Sequence, residues 1–241
     1  MNRINSIAKP IFPSDFGIKN IEAIKLVQPY TMTSPERLNS LINAVQYIID
    51  NNINGSIVEC GVWKGGSMMA VAYMLQALSN MQRNLYLFDT FEGMTPPTDK
   101  DIAHFNVDAK TLMDSEDEKK REIYRCYASL EEVKNNLYST NYPLDKIHFI
   151  QGKVEDTIPD RAPEKIALLR LDTDWYESTR HELEHLFPRL VPGGVIIIDD
   201  YGYWKGCKQA TDEYIQNHRI PLLLNRIDST GRIGIKLTTH S

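Results

Sequence analysis

Five short, largely apolar runs recur along this chain, and helical spacing follows the first, second, fourth and fifth. The runs are SIVEC (56–60), LYLFD (85–89), IHFIQ (147–151), IALLRLD (166–172) and VIIIDD (195–200). A strand with one face in water alternates apolar and polar residues. A run apolar almost throughout is covered on both faces, as in a parallel sheet flanked by helices. Helical patterns fill the gaps at 67–80, roughly 116–138, 176–190 and 207–217. One more helix precedes the first run. Ser34 before Pro35 reads as an N-cap with proline at the first helical position. Leu38, Leu41, Ile42, Val45, Ile48 and Ile49 then recur at helical spacing, and Asn51-Asn52 should end the helix. The alternation predicts an α/β fold with a mostly parallel seven-stranded sheet and helices on both faces. The tail PLLLNRIDSTGRIGIKLTT reads as two strands around a Ser-Thr-Gly turn, an antiparallel C-terminal hairpin.

Two segments break the rhythm. Residues 92–145 start with Gly93, Pro96 and Pro97, then turn strongly charged, with capping-box patterns at Ser115…Glu118 and Ser129…Glu132. We read this segment as a cap inserted into a single domain spanning 34–241; a solvated helical decoration is the alternative. Residues 1–33 read as an irregular arm or lid.

Composition excludes several classes. A formal net charge of −5, with no Lys/Arg cluster interleaved with aromatics, argues against a nucleic-acid binder. Cys60, Cys126 and Cys207 are far apart and match neither a zinc spacing nor a disulfide framework. No signal-peptide core and no membrane-length apolar run is present, so a cytoplasmic protein without membrane partners is expected.

The turn VECGVWKGGS (58–67) puts Gly61, Gly65 and Gly66 between a strand and a helix. Glycines there let a ligand approach the backbone at the helix N-terminus. The spacing is Glu-x-Gly-x-x-x-Gly, not Gly-x-Gly-x-x-Gly. The second run ends in Asp89, placed to accept from two ribose hydroxyls. After the third run comes GKVEDTIP (152–159), positioned to wall off an adenine.

The fourth and fifth runs end in aspartates: Asp172 with Asp174, and Asp199 with Asp200. Adjacent parallel strands put both ends on one edge of the sheet. Four crowded carboxylates repel, and a bound cation is the simplest remedy. All-oxygen ligands suit Mg²⁺, Mn²⁺ or Ca²⁺ better than zinc. The bland reading is that these aspartates cap the following helices.

YTM (30–32), VECGVWKGGS, LFDTFEGM (87–94), LRLDTDWYEST (170–179) and VPGGVIIIDDYG (191–202) together closely resemble the macrocin O-methyltransferase family. The resemblance covers roughly residues 29–218. It implies a Rossmann-like class I fold, S-adenosylmethionine and Mg²⁺ as cofactors, and a sugar hydroxyl on a natural product as acceptor. It also implies roles. Glu59, Gly61, Trp63 and Ser67 would contact the methionine part of the cofactor, and Asp89 the ribose. Val154 and Glu155 would border the adenine. Asp172, Asp199 and Asp200 would hold the metal, with Asp172 also beside the cofactor. Asp174 would be the general base. Tyr30 and Met32 fall in a segment that closes over the site.

Three rivals remain. A nucleotide-redox enzyme fits the fold but not the loop or the crowded aspartates. A catechol-type methyltransferase would share the metal site and differ in its cap. A non-catalytic cofactor-binding module would not need both base and metal ligands. A small-molecule acceptor, with a homo-oligomer open, is the expected set of partners. RHELEHLFP (180–188) contains the zinc-protease spacing His-Glu-x-x-His. The helical stripe there centres on Leu183, however, which predicts His181 and His185 on the solvent face.

Overall fold

The computed structural model describes residues 12–238. In chain order the elements are α1 (Ile18–Val27), α2 (Pro35–Asp50), β1 (Ser56–Cys60), α3 (Gly66–Ala77), β2 (Leu85–Asp89), α4 (Ala109–Met113), α5 (Glu118–Arg125), α6 (Leu130–Tyr138), β3 (Ile147–Gln151), α7 (Val154–Thr157), β4 (Ile166–Leu171), α8 (Tyr176–Leu186), β5 (Leu190–Ile198), α9 (Lys205–Asn217), β6 (Asn225–Arg226) and β7 (Arg232–Ile235). They form a seven-stranded sheet in the order β3-β2-β1-β4-β5-β7-β6. The first five strands run parallel, and β7 is antiparallel to both neighbours. All residues of β1 and β4 are buried, which is why their sequences carry no alternation. Neighbours along β4 serve opposite cores: Leu168 packs with Ile42 and Leu75, and Leu169 with Leu183 and Ile196. Each such leucine contributes about 1.5–3 kcal/mol by burial.

Three strands start and stop where the apolar runs do. β5 begins earlier than its run, at Leu190. Pro192, Gly193 and Gly194 look like a turn in sequence. Here they form a bulge between the pairs Ile166–Leu190 and Leu168–Val195, and Gly193, at φ +81°, donates its amide to Lys236. The hairpin is shorter than expected: β6 has two residues, and the Pro221–Leu224 stretch forms no strand.

Capping chemistry sets the helix starts. Ser34 accepts from the Arg37 amide at 3.2 Å, with Pro35 next, as the sequence predicts. Ser129 likewise caps α6 through the Glu132 amide. Ser115 does not cap α5. Asp117 takes that role, accepting from the Lys119 and Lys120 amides, because a carboxylate is the better partner for a helix N-terminus. Left-handed Cys126 (φ 46°) splits the helix expected over 116–138 into α5 and α6. Where residues before 31 read as irregular, α1 forms instead. It has no side-chain cap to announce it, and Ala23, Ile24 and Val27 bury it. Residues 1–11, the rest of the expected arm, lie outside the described residues. Among the described residues no helix is long and apolar enough to cross a membrane.

Candidate active site

The strand order reverses direction at β1, so the carboxyl ends of β1 and β4 part and leave a crevice. Gly61 lies at its floor. A Cβ there would sit 2.0 Å from the Asp172 carbonyl oxygen, and its φ is +79°. At Gly66 a Cβ would meet the Tyr30 carbonyl at 2.5 Å. The close approach that these glycines permit is therefore made first by the protein's own backbone.

A cavity of about 260 Å³ opens above this floor. Gly61, Trp63, Ser67, Asp89, Asp172, Asp174, Asp199 and Asp200 all line it, with Tyr30 and Met32. A smaller cavity of about 50 Å³ adjoins it, sharing Gly61, Asp89 and Asp172, and is walled by Val154 and Glu155. Asp89 anchors the loop: its carboxylate accepts from the Val62, Trp63 and Phe91 amides at 2.6, 3.1 and 2.7 Å. A larger apolar cavity between α2 and β7 is lined by no carboxylate, histidine or cysteine.

The aspartates meet as the parallel strands dictate. Asp172, Asp174 and Asp200 bring carboxylate oxygens within 4.8 Å of one another. Asp199 lies beside them but is already engaged, by Arg170 on Oδ1 at 2.5 Å and by Arg37 on Oδ2. Asp174 sits at φ +67°, a left-handed conformation that aspartate tolerates, in a turn closed by the Trp175 amide on the Thr173 carbonyl at 2.7 Å. Burial and the neighbouring negative charges push Asp172 and Asp200 well above the usual carboxylate range, and burial first of all pushes Asp174 up to about 7. Glu59, only 1% exposed, is raised by burial to about 7 in spite of Arg170.

Several functional neighbours escape the sequence reading. Arg170 is buried in β4 and donates to Glu59, Asp172, Asp199 and Thr33. Its signal was available: a lone arginine inside IALLRLD must find partners if the run is buried. Arg37 links Asp199 to Asp228 in the hairpin turn. Opposite the glycine loop, the cavity is closed by Ile123, Tyr124 and Cys126 from the end of α5 and by Tyr203, whose hydroxyl lies 2.8 Å from that of Tyr124. On α8, His181 and His185 are half-buried rather than facing open water, because His181 hydrogen-bonds the Ile158 carbonyl at 3.0 Å. Neither belongs to the acidic group that could hold a metal among the described residues.

Two buried oxygens have no partner at this site, Oε2 of Glu59 and Oδ2 of Asp200. Five carboxylates (Glu59, Asp172, Asp174, Asp199 and Asp200) face two guanidiniums. The unpartnered acceptor of Asp200 and the surplus of carboxylates fit a hard cation at the aspartates, whereas Glu59 lines neither cavity.

Comparisons with known proteins agree with this geometry. The family described as "Macrocin-O-methyltransferase (TylF)" matches residues 25–233. A 4'-O-methyltransferase of Streptomyces olivaceus named for 8-demethyl-8-(2,3-dimethoxy-alpha-L-rhamnosyl)-tetracenomycin-C is 34% identical over 202 residues, 84% of this chain and 74% of that protein. Mycinamicin III 3''-O-methyltransferase of Micromonospora griseorubida is 33% identical, covering 84% of this chain and 76% of its own length. Among solved structures, the O-methyltransferase NovP superposes with a TM-score of 0.75 at 30% identity, covering 87% of this chain and 83% of that one.

Proposed function

This chain belongs to the macrocin O-methyltransferase family and is an O-methyltransferase, and from that premise we propose that it methylates a hydroxyl of a glycosylated small molecule, using S-adenosylmethionine and a divalent cation, Mg²⁺ first. The relatives above are named for glycosylated natural products, which supports a sugar hydroxyl as acceptor. The observation that carries the reading is a single cavity that joins the glycine loop to the aspartate cluster.

S-adenosylmethionine would supply the methyl group on a sulfonium, and a divalent cation would supply the charge that lets a hydroxyl ionise near neutrality. Glu59 offers its unpartnered Oε2 to the cofactor's ammonium, beside Gly61, Trp63 and Ser67. Asp89, with one lone pair on Oδ1 left over from its three amide bonds, orients the ribose. Val154 and Glu155 border the adenine in the adjoining cavity. Asp172, Asp199 and Asp200 hold the cation; the guanidiniums on Asp199 leave lone pairs free on both of its oxygens. Asp174 accepts the acceptor's proton, a task suited to a base that titrates near the working pH. Tyr30 and Met32 on one side, and α5 on the other, exclude water and hold the acceptor in line with the methyl group. The contribution of Ile123, Tyr124 and Cys126 to the cavity supports reading 92–145 as a cap over the acceptor.

Calorimetric titration with S-adenosylhomocysteine and MgCl₂, followed by a methyl-transfer screen over glycosides and catechols, tests the reading. Binding of both ligands with transfer to a glycoside is expected. Tight NAD binding without S-adenosylhomocysteine binding would refute it, and transfer to catechols alone would refute the acceptor class.

A further inference from the structure

Arg170 is 3% exposed and lies near the carboxyl end of the central strand β4. Its guanidinium meets four separate stretches of chain. Nη1 donates to Glu59 Oε1 and Asp172 Oδ2, both at 2.6 Å. Nη2 donates to Asp199 Oδ1 at 2.5 Å and to the Thr33 hydroxyl at 2.8 Å. These partners come from the end of β1, the end of β4, the end of β5 and the segment before α2.

The division of those partners is what matters. In the function proposed above Glu59 serves the cofactor and Asp199 the cation, and Asp172 borders both cavities; Glu59, like Arg170, lines neither cavity and acts from behind their walls. We infer that Arg170 is a positioning residue that sets both halves at once, aiming Glu59 Oε2 at the cofactor and the carboxylates of Asp172 and Asp199 at the cation. The inference rests on the methyltransferase reading above. Arg170 itself touches neither the reacting atoms nor the cavity, whose lining does not include it. By occupying Oε1 of Glu59 it leaves Oε2 as the free acceptor, and Oε2 has no partner within the protein.

Only a planar fork can serve four acceptors in fixed directions. A lysine ammonium keeps the charge but is a point donor on a flexible stem. The substitution Arg170→Lys therefore separates charge from geometry. Replacing an outer partner of this kind typically costs about 10- to 100-fold in ligand affinity.

The test uses the full chain, with S-adenosylhomocysteine and MgCl₂ titrated separately by calorimetry and folding followed by circular dichroism. R170K should weaken both ligands by about tenfold or more. E59Q should weaken S-adenosylhomocysteine alone, and D199N should weaken Mg²⁺ more than S-adenosylhomocysteine. In the E59Q background R170K should cost less than a further twofold in S-adenosylhomocysteine affinity, and in the D199N background less than a further twofold for Mg²⁺. A merely structural role would instead multiply the losses, and that outcome overturns the inference. So does an R170K protein that binds both ligands within twofold of wild type. If R170K does not fold, T33V probes the same guanidinium without disturbing a charge. Loss of affinity for both ligands in T33V supports the inference, and wild-type affinity for both overturns it. Wild-type protein that binds neither ligand refutes the methyltransferase reading itself.

Discussion

The Thr173 hydroxyl donates to Oε1 of Glu182 at 2.9 Å, under the turn that carries Asp172 and Asp174. Glu182 is wholly buried, and burial pushes its carboxyl well above the usual range. The glutamate of His-Glu-Leu-Glu-His thus supports the carboxylate turn from below. Replacing His181 and His185 by alanine should leave metal content and methyl transfer within twofold of wild type. E182Q, which keeps the shape of the side chain and an oxygen for the Thr173 hydroxyl, should cost at most about 1 kcal/mol in urea unfolding, and E182A about 2–3 kcal/mol through an unpaired hydroxyl and a cavity.

Asp174 is proposed as the base, and its substitution separates base from ligand. D174N should retain S-adenosylhomocysteine and Mg²⁺ affinity and lose turnover by about a hundredfold or more. Loss of Mg²⁺ affinity in calorimetry would make Asp174 a ligand of the cation, a role its position within 4.8 Å of Asp172 and Asp200 allows.

The two aspartates at the end of β5 should behave differently. Asp199 is paired to Arg37 and Arg170, so D199N should cost about 3 kcal/mol or more of stability as well as cation affinity. Asp200 carries a buried oxygen without a partner, so D200N should lower Mg²⁺ affinity while leaving the unfolding midpoint unchanged or raised. Equal destabilisation by the two substitutions would contradict the pairing described here.

Asp228 ties the hairpin turn to α2. Burial raises its carboxyl, but the Ser34 hydroxyl, the Gly231 and Thr230 amides and Arg37 outweigh it and hold it down to about 2. That lies below the roughly 3.9 of an unfolded chain, so the stabilisation is complete above about pH 4 and fades toward pH 2. D228N should be less stable by about 1–3 kcal/mol at pH 7. The gap to wild type in urea unfolding should narrow as pH falls from 4 toward 2; a constant gap would exclude Asp228 as its source.

Gly61 admits no side chain. G61A should cost several-fold to a hundredfold in S-adenosylhomocysteine affinity, or about 2 kcal/mol or more of stability, because its Cβ would overlap the Asp172 carbonyl at a positive φ. A variant normal in both would show that the β1–β4 crossing is loose.

Legibility in the sequence followed the range of the interaction. The bounds of β1, β2 and β3 were readable because short, largely apolar runs stand out between polar stretches even at the half-exposed edge strand β3, and Ser34 and Ser129 because a cap acts three residues away. The meeting of Asp172 with Asp200 was readable because adjacent strands share an edge. Asp117 outcompeting Ser115 was not, since only Ser115 has the capping-box glutamate three residues on, Lys120 standing there for Asp117. Nor was the bulge of Pro192–Gly194, or the pairing of Asp199 with Arg37, which depends on where α2 docks. Sequence spacing placed His181 and His185 on the far side of α8, but could not show that α7 reaches round to cover part of it.

The antiparallel pairing of β7 with β5 has a consequence for synthesis. β5 carries Asp199 and Asp200 at its end, and one of its two edges is covered only by a strand lying beyond α9 in the sequence. At ordinary elongation rates a ribosome needs seconds to make that stretch. During that interval β5 is an open edge of apolar residues, Val195 to Ile198, available to pair with a neighbouring nascent chain. The strand that ends in Asp199 and Asp200 is thus open to misassembly on a crowded polysome for that interval, and β7 is the piece that closes it.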